Sequence, residues 1–147
     1  MTWYVYKVNS RNEPHQNHFG DWRTFFERTA DGGRCRWGTS EIVPALSKLV
    51  EGDKILAYQT DRNSLMGFVV VDARDREDGR DYVYLRPRVR LGRNGVRVRP
   101  MKVDPVIEAI HAFATNEVKT LYHIDSSDAE YILKVARGRC QPIDFDD

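Results

Sequence analysis

Trp37 stands at the end of a short strand, followed by Gly38, Thr39 and the helix-capping Ser40, within a segment running from Arg34 to Asp72. A large flat ring beside free backbone amides suits a planar ligand such as a nucleobase. The ring supplies affinity by stacking, and neighbouring polar groups read the edge. Tryptophan is also highly buried on average, so a plain core position is the alternative reading of the same residue.

A second constellation lies between Tyr82 and Val103, where six arginines and one lysine occur without an acidic residue. Val83, Leu85, Val89 and Leu91 alternate with Tyr82, Tyr84, Arg86, Arg88 and Arg90. Beyond the Gly92–Gly95 turn, Val96 and Val98 alternate with Arg97 and Arg99. Period-two patterning in both arms predicts a hairpin with one apolar and one basic face. Arg86, Arg88, Arg90, Arg97 and Arg99 would then form a phosphate track, because the planar guanidinium fork suits phosphate oxygens and adjacent tyrosines suit bases. The alternative is a solvated face whose charges pair with the 73–81 stretch or with the acidic tail. Pro87 points to an edge strand or a bulge.

Other chemistries find little support. There is no Gly-x-Ser-x-Gly motif and no cysteine with a recognisable histidine partner. Gly92-Arg93-Asn94-Gly95 is a turn, lacking the Lys-Ser/Thr end of a phosphate loop. His15, His18, His111 and His123 are scattered without completing a metal set, and Cys35 and Cys140 read as separate thiols. The expectation is a protein that is not an enzyme, with no cofactor and no metal.

The elements that must position these residues follow from pattern. Residues 2–8 read as a strand and 9–20 as a loop. Asp21 caps a helix over 22–29, in which Trp22 is periodic with Phe25 and Phe26. That periodicity makes Trp22 core, with a pocket rim as the alternative. A strand over 34–37 leads to a helix over 41–50 capped by Ser40. Gly52-Asp53 turns the chain into strands over 54–60 and 65–72, and 73–81 reads as an exposed charged loop. Asp104-Pro105 opens a further helix, and a last one runs from about 127 to Gly138. Separate helices around a strand-rich middle indicate α+β.

At 147 residues, 41% hydrophobic and 31% charged, with net charge +1, the chain reads as one globular domain over 1–147. Its core spans about 2–138, and an acidic C-terminal tail carries Asp144, Asp146 and Asp147. No apolar run approaches the roughly 20 residues a bilayer span needs, and no signal-peptide pattern opens the sequence. The expected location is cytoplasmic, without a membrane partner.

The motifs KVNSRN (7–12), WGTS (37–40), GDKILAYQT (52–60) and MGFVVVD (66–72), in that order, resemble the EVE domain family. This is a branch of the PUA-like superfamily related to YTH domains. The resemblance implies a small, partly open β-barrel flanked by helices, with a pocket for a modified base flipped from DNA or presented in RNA. It makes Trp37 the stacking wall, with Thr39 and Ser40 supplying contacts. Asn9, Ser10 and Asn12 read the base edge, Tyr58 and Gln59 line the floor, and Tyr82 or Tyr84 forms the opposite wall. YTH domains build their cage with more than one tryptophan, which leaves a modified cytosine at least as plausible as N6-methyladenine. Function is thus expected to be non-catalytic recognition of a modified base in DNA or RNA, with any cleavage supplied by a separate effector protein such as a nuclease. The alternatives are a small PUA-like hydrolase of a modified nucleoside or amide, and a protein-interaction domain with a basic face.

Overall fold

The computed structural model describes residues 2–8, 21–39, 44–98 and 121–145, with the side chains of 38, 39, 44 and 45 aside. Asn9, Ser10, Asn12, Ser40 and Arg99, the helix opened by Asp104, and the first residues of the 41–50 helix lie outside the described residues.

Strands β1 (Trp3–Val8), β2 (Cys35–Thr39), β3 (Lys54–Gln59), β4 (Ser64–Glu77), β5 (Arg80–Leu91), β6 (Val96–Arg97), β7 (Leu121–Ile124) and β8 (Pro142–Asp144) form one sheet. Helices α1 (Trp22–Arg28) and α2 (Ser126–Arg137) and a 3-10 helix over Pro44–Lys48 complete the described elements. The strand order is β2-β5-β4-β3-β1-β7, with β6 added to β4 and β8 to β5. β1 and β3 run parallel, and every other pairing is antiparallel. The architecture is α+β around an open eight-stranded sheet, in keeping with a small open PUA-like barrel.

Each face of the sheet carries its own core, so the inner strands are apolar on both sides. Trp3, Val5, Leu56, Tyr58, Leu65, Val89 and Leu91 pack against Ala129, Ile132, Leu133 and Ala136 of α2. On the other face Tyr6, Val8, Ile55, Ala57, Met66, Val69, Val83 and Leu85 meet Trp22, Phe25, Phe26 and Trp37. Asp21 caps α1 as its sequence predicts, its Oδ1 accepting from the Thr24 amide at 2.8 Å.

The sheet is strongly curved. β1 and β2 are separated by β3, β4 and β5, four strand spacings or about 19 Å across a flat sheet. Yet the rings of Tyr6 and Trp37, one from each strand, have centroids only 5.7 Å apart. Gly67 supports the curvature: at φ 151°, a Cβ there would lie 2.1 Å from the Val89 carbonyl oxygen and 2.8 Å from Phe26 Cζ.

Three expectations are corrected. Residues 73–81 are not a loop. They extend β4 and begin β5 around Asp78-Gly79, which take φ of 53° and 76°, the backbone a two-residue hairpin turn requires. The strand after Gly95 does not pair with β5; β6 pairs with β4, Val96 opposite Leu65 and Arg97 opposite Ser64. Part of the acidic tail is the strand β8, in which Asp144 lies opposite Val89 and grips Arg137 through two hydrogen bonds of 2.7 and 3.1 Å.

Candidate base and phosphate site

Trp37 is fully buried. Its indole lies flat on Trp22, at 4.1 Å and 11° from parallel, and Tyr6 and Phe25 meet it edge-on at 5.7 and 5.5 Å. Trp22 is pinned within this cluster. Its indole N–H donates to the Tyr6 carbonyl at 3.1 Å, and its backbone N–H donates to Gln59 Oε1 at 3.1 Å. Gln59 in turn donates through Nε2 to Asp61 Oδ1 at 2.7 Å. Trp37 is not pinned: among the described residues its indole nitrogen, like the Tyr6 hydroxyl, is buried without a hydrogen bond of normal geometry. Burial pushes the Tyr6 pKa far up, while the Trp37 indole N–H, which faces the Tyr6 hydroxyl without completing a hydrogen bond of normal geometry, acts the other way.

The remaining expected pocket residues disperse. Tyr58 projects to the opposite face of the sheet, into the α2 core, and its hydroxyl donates to Asn63 Oδ1 at 3.3 Å. Thr39 lies opposite Tyr82 in the β2–β5 ladder. Tyr82 and Tyr84 alternate with Val83 and Leu85, which face Trp37's core, so both tyrosines point away from Trp37. Arg36 stacks over Tyr82 at 4.2 Å and Arg34 over Tyr84 at 4.5 Å. Of the described pocket candidates only Gln59 joins Trp37, through Trp22.

The basic stripe is also divided. Pairing runs Phe68 with Val89 and then Val69 with Pro87, leaving Arg88 as the extra residue of a bulge. A bulge reverses which face the following side chains take. Arg86 therefore shares the outer face with Tyr82 and Tyr84. There Nε meets Asp72 Oδ1 at 3.1 Å, and Nη1 donates to the Gly32 carbonyl at 3.2 Å. That face is closely charge-paired: Arg36 meets Glu77 at 2.6 Å and Arg34 meets Asp72 at 3.4 Å; Arg74, opposite Val83 on the other face, meets Asp81 and donates to the Leu46 and Leu49 carbonyls. The Tyr84 hydroxyl donates to Glu77 at 2.7 Å, which raises its pKa.

Beyond the bulge, Arg90 lies opposite Gly67, whose missing side chain lets Phe26 of α1 approach. Arg90 Nη2 donates to the Arg93 carbonyl at 3.0 Å, and among the described residues its buried Nε has no partner. Burial lowers the Arg90 pKa; Glu27 raises it, and Arg23 and Arg93 lower it further. Arg23 and Glu27 pair with each other at 3.1 Å on α1. Arg90 of β5 thus feels the charges of Arg23 and Glu27 from α1 and of Arg93 from the β5–β6 turn, with Arg97 exposed on β6. Neither Arg23 nor Arg93 stood out in sequence, since nothing local connects α1 to a turn seventy residues on. Tyr6 has a fainter signal, its parity with Tyr4 and Val8 in β1.

Cys35 and Cys140 are unpaired, and burial raises both thiols. Among the described residues no three His, Cys, Asp or Glu side chains gather as a metal site, and no helix is long and apolar enough to cross a membrane.

An α+β fold built on an open, two-cored eight-stranded sheet is the class these features define. No family model and no curated protein matches the sequence. Among solved structures, the chain is similar to the crystal structure of protein PSPTO5229 from Pseudomonas syringae. The TM-score is 0.58 at 11% identity, over 91% of this chain and 99% of that one. At that identity the likeness is one of fold.

Proposed function

We propose that the protein is a non-catalytic reader of a modified base in nucleic acid, of the EVE type its motifs resemble. One observation supports the reading: among the described residues the Trp37 indole N–H and the Tyr6 hydroxyl, which face each other inside an aromatic cluster, complete no hydrogen bond of normal geometry. Buried polar atoms are nearly always hydrogen-bonded, and a planar ligand with a polar edge would satisfy both. The base stacks on Trp37 rather than on the pinned Trp22, and its edge takes the two orphaned groups. Because Trp37 is fully buried, entry requires the cluster to open, and association is slower than simple electrostatic encounter. Phosphates are held by Arg90 and Arg93 with Arg23 and Arg97, rather than by Arg86, which is already engaged with Asp72. Cleavage of marked nucleic acid would come from a separate effector protein.

The Trp37→Phe variant tests the assignment. It keeps an aromatic filling of the core but loses the indole N–H and part of the stacking surface. Binding to oligonucleotides with and without modified bases is compared at fixed salt. The modified-base preference should fall while weak, salt-sensitive binding persists; an unchanged preference removes Trp37 from the site.

A further inference from the structure

On the sheet face opposite Trp37, an open cleft of about 410 Å³ lies between α2 and the sheet, lined by Trp3, Lys54, Phe68, Glu130, Leu133, Lys134 and Arg137. This volume is within the range of about 300–1,000 Å³ typical of small-molecule sites. Its floor is aromatic and aliphatic. Trp3 and Phe68 meet at 5.1 Å with planes 52° apart, and Leu133 closes it from the helix. Glu130, Leu133, Lys134 and Arg137 recur at helical spacing and so share the face of α2 turned to the cleft.

The charges around this floor are unequal. Arg137 is taken by Asp144 at 2.7 Å. Lys54 is held over the Trp3 ring at 5.2 Å, a position that stabilises a cation without neutralising it. Neither Lys54 nor Lys134 forms an ion pair among the described residues, and none joins Glu130 to Lys134 despite their spacing. Setting the Arg137–Asp144 pair aside, two lysines face one glutamate, an excess of one positive charge over an aromatic floor.

We infer that this cleft is a second ligand site, taking a small aromatic monoanion such as an arylcarboxylate. The ring lies against Trp3, Phe68 and Leu133, and the carboxylate sits between Lys54 and Lys134. A planar apolar body accounts for the floor, and a single negative charge matches the excess. A dianion would meet Glu130 without a further free cation.

The full chain, labelled with nitrogen-15, is titrated with 1-naphthoate and with its neutral counterpart 1-naphthalenemethanol. Signals of the three tryptophan indoles are followed, and Trp3 is assigned with a Trp3→Phe variant. Naphthoate should shift the Trp3 indole saturably, leave those of Trp22 and Trp37 in place, and bind more tightly than the alcohol. The Lys54→Gln/Lys134→Gln double variant should weaken naphthoate roughly fivefold, as expected for two partly exposed ion pairs, and leave oligonucleotide binding unchanged. No saturable shift at Trp3, or equal affinity for the acid and the alcohol, overturns the proposal. Either result leaves the Trp37 reading untouched, because the two sites lie on opposite faces of the sheet.

Discussion

Trp37 lies flat on Trp22, ring centroids 4.1 Å apart and planes 11° from parallel, although the two residues come from β2 and α1. A base intercalated between parallel rings needs nearly twice that separation, so the pair is not an empty cage of two facing walls. It is a closed aromatic stack in which one indole is anchored by hydrogen bonds and the other is not. Two indoles this close couple electronically. Far-ultraviolet circular dichroism should therefore show an exciton couplet that vanishes in both Trp22→Phe and Trp37→Phe and survives in Trp3→Phe. A couplet that survives loss of either buried tryptophan contradicts the stack.

The Tyr6 hydroxyl separates a binding role from a packing role. Removing an orphaned buried hydroxyl is neutral or stabilising, by up to about 1 kcal/mol, because its desolvation cost disappears. Tyr6→Phe should therefore unfold in urea at the same or a higher midpoint while losing preference for a modified base. Reduced stability with unchanged preference would mean that the hydroxyl serves the fold and not a ligand.

Alkaline titration follows from the same burial. Tyr6 and Tyr58 both have pKa values raised, chiefly by burial, above the ordinary tyrosine value of 10.0. A raised folded-state pKa means that stability is fully present below pH 10.0 and is lost as pH rises, because the unfolded chain releases protons that the fold retains. Absorbance near 295 nm should show these tyrosines ionising only as the protein unfolds. Tyr6→Phe and Tyr58→Phe should each move the alkaline transition to higher pH. Early ionisation of every tyrosine in the folded protein would contradict this burial.

The bulge at Arg88 makes arginines of one apparent stripe unequal. Replacing Arg90 and Arg93 together with Gln should weaken modified and unmodified oligonucleotides alike and reduce the slope of log affinity against log salt by about 1 to 2. Arg86→Gln should leave that slope unchanged, since it breaks the contact to Asp72 instead. Binding that responds to Arg86 and not to Arg90 and Arg93 would restore the undivided phosphate track.

How much of this was legible in the sequence depends on the range of the forces involved. The helices α1 and α2 were, because the Asp21 cap, the Phe25–Phe26 pair and the Ala129–Ala136 spacing are local signals. The hairpin at Asp78-Gly79 was present in the turn dipeptide but masked by the charged residues around it. β7 and β8 have no counterpart among the expected elements; at four and three residues they form only by pairing with β1 and β5. The site was less readable still. Side-chain parity within β5 is evident, but its reversal at Pro87–Arg88 depends on how β4 lies alongside. That Tyr58 and Trp37 fall on opposite faces depends on pairings across four strands. The pairing of β2 with β5 brings Arg34 to Asp72 and Arg36 to Glu77 beside the tyrosines, a neutralisation no local pattern announces.

Recognition of a modified base is tested most directly by a panel of single- and double-stranded oligonucleotides. The strands differ only in one modified cytosine or adenine and are measured against unmodified controls at one fixed salt concentration. The account predicts that at least one modification binds about tenfold more tightly than its control, a difference of about 1.4 kcal/mol, and that Tyr6→Phe and Trp37→Phe both remove the difference. Equal affinity across the whole panel, changing only with salt, would contradict it.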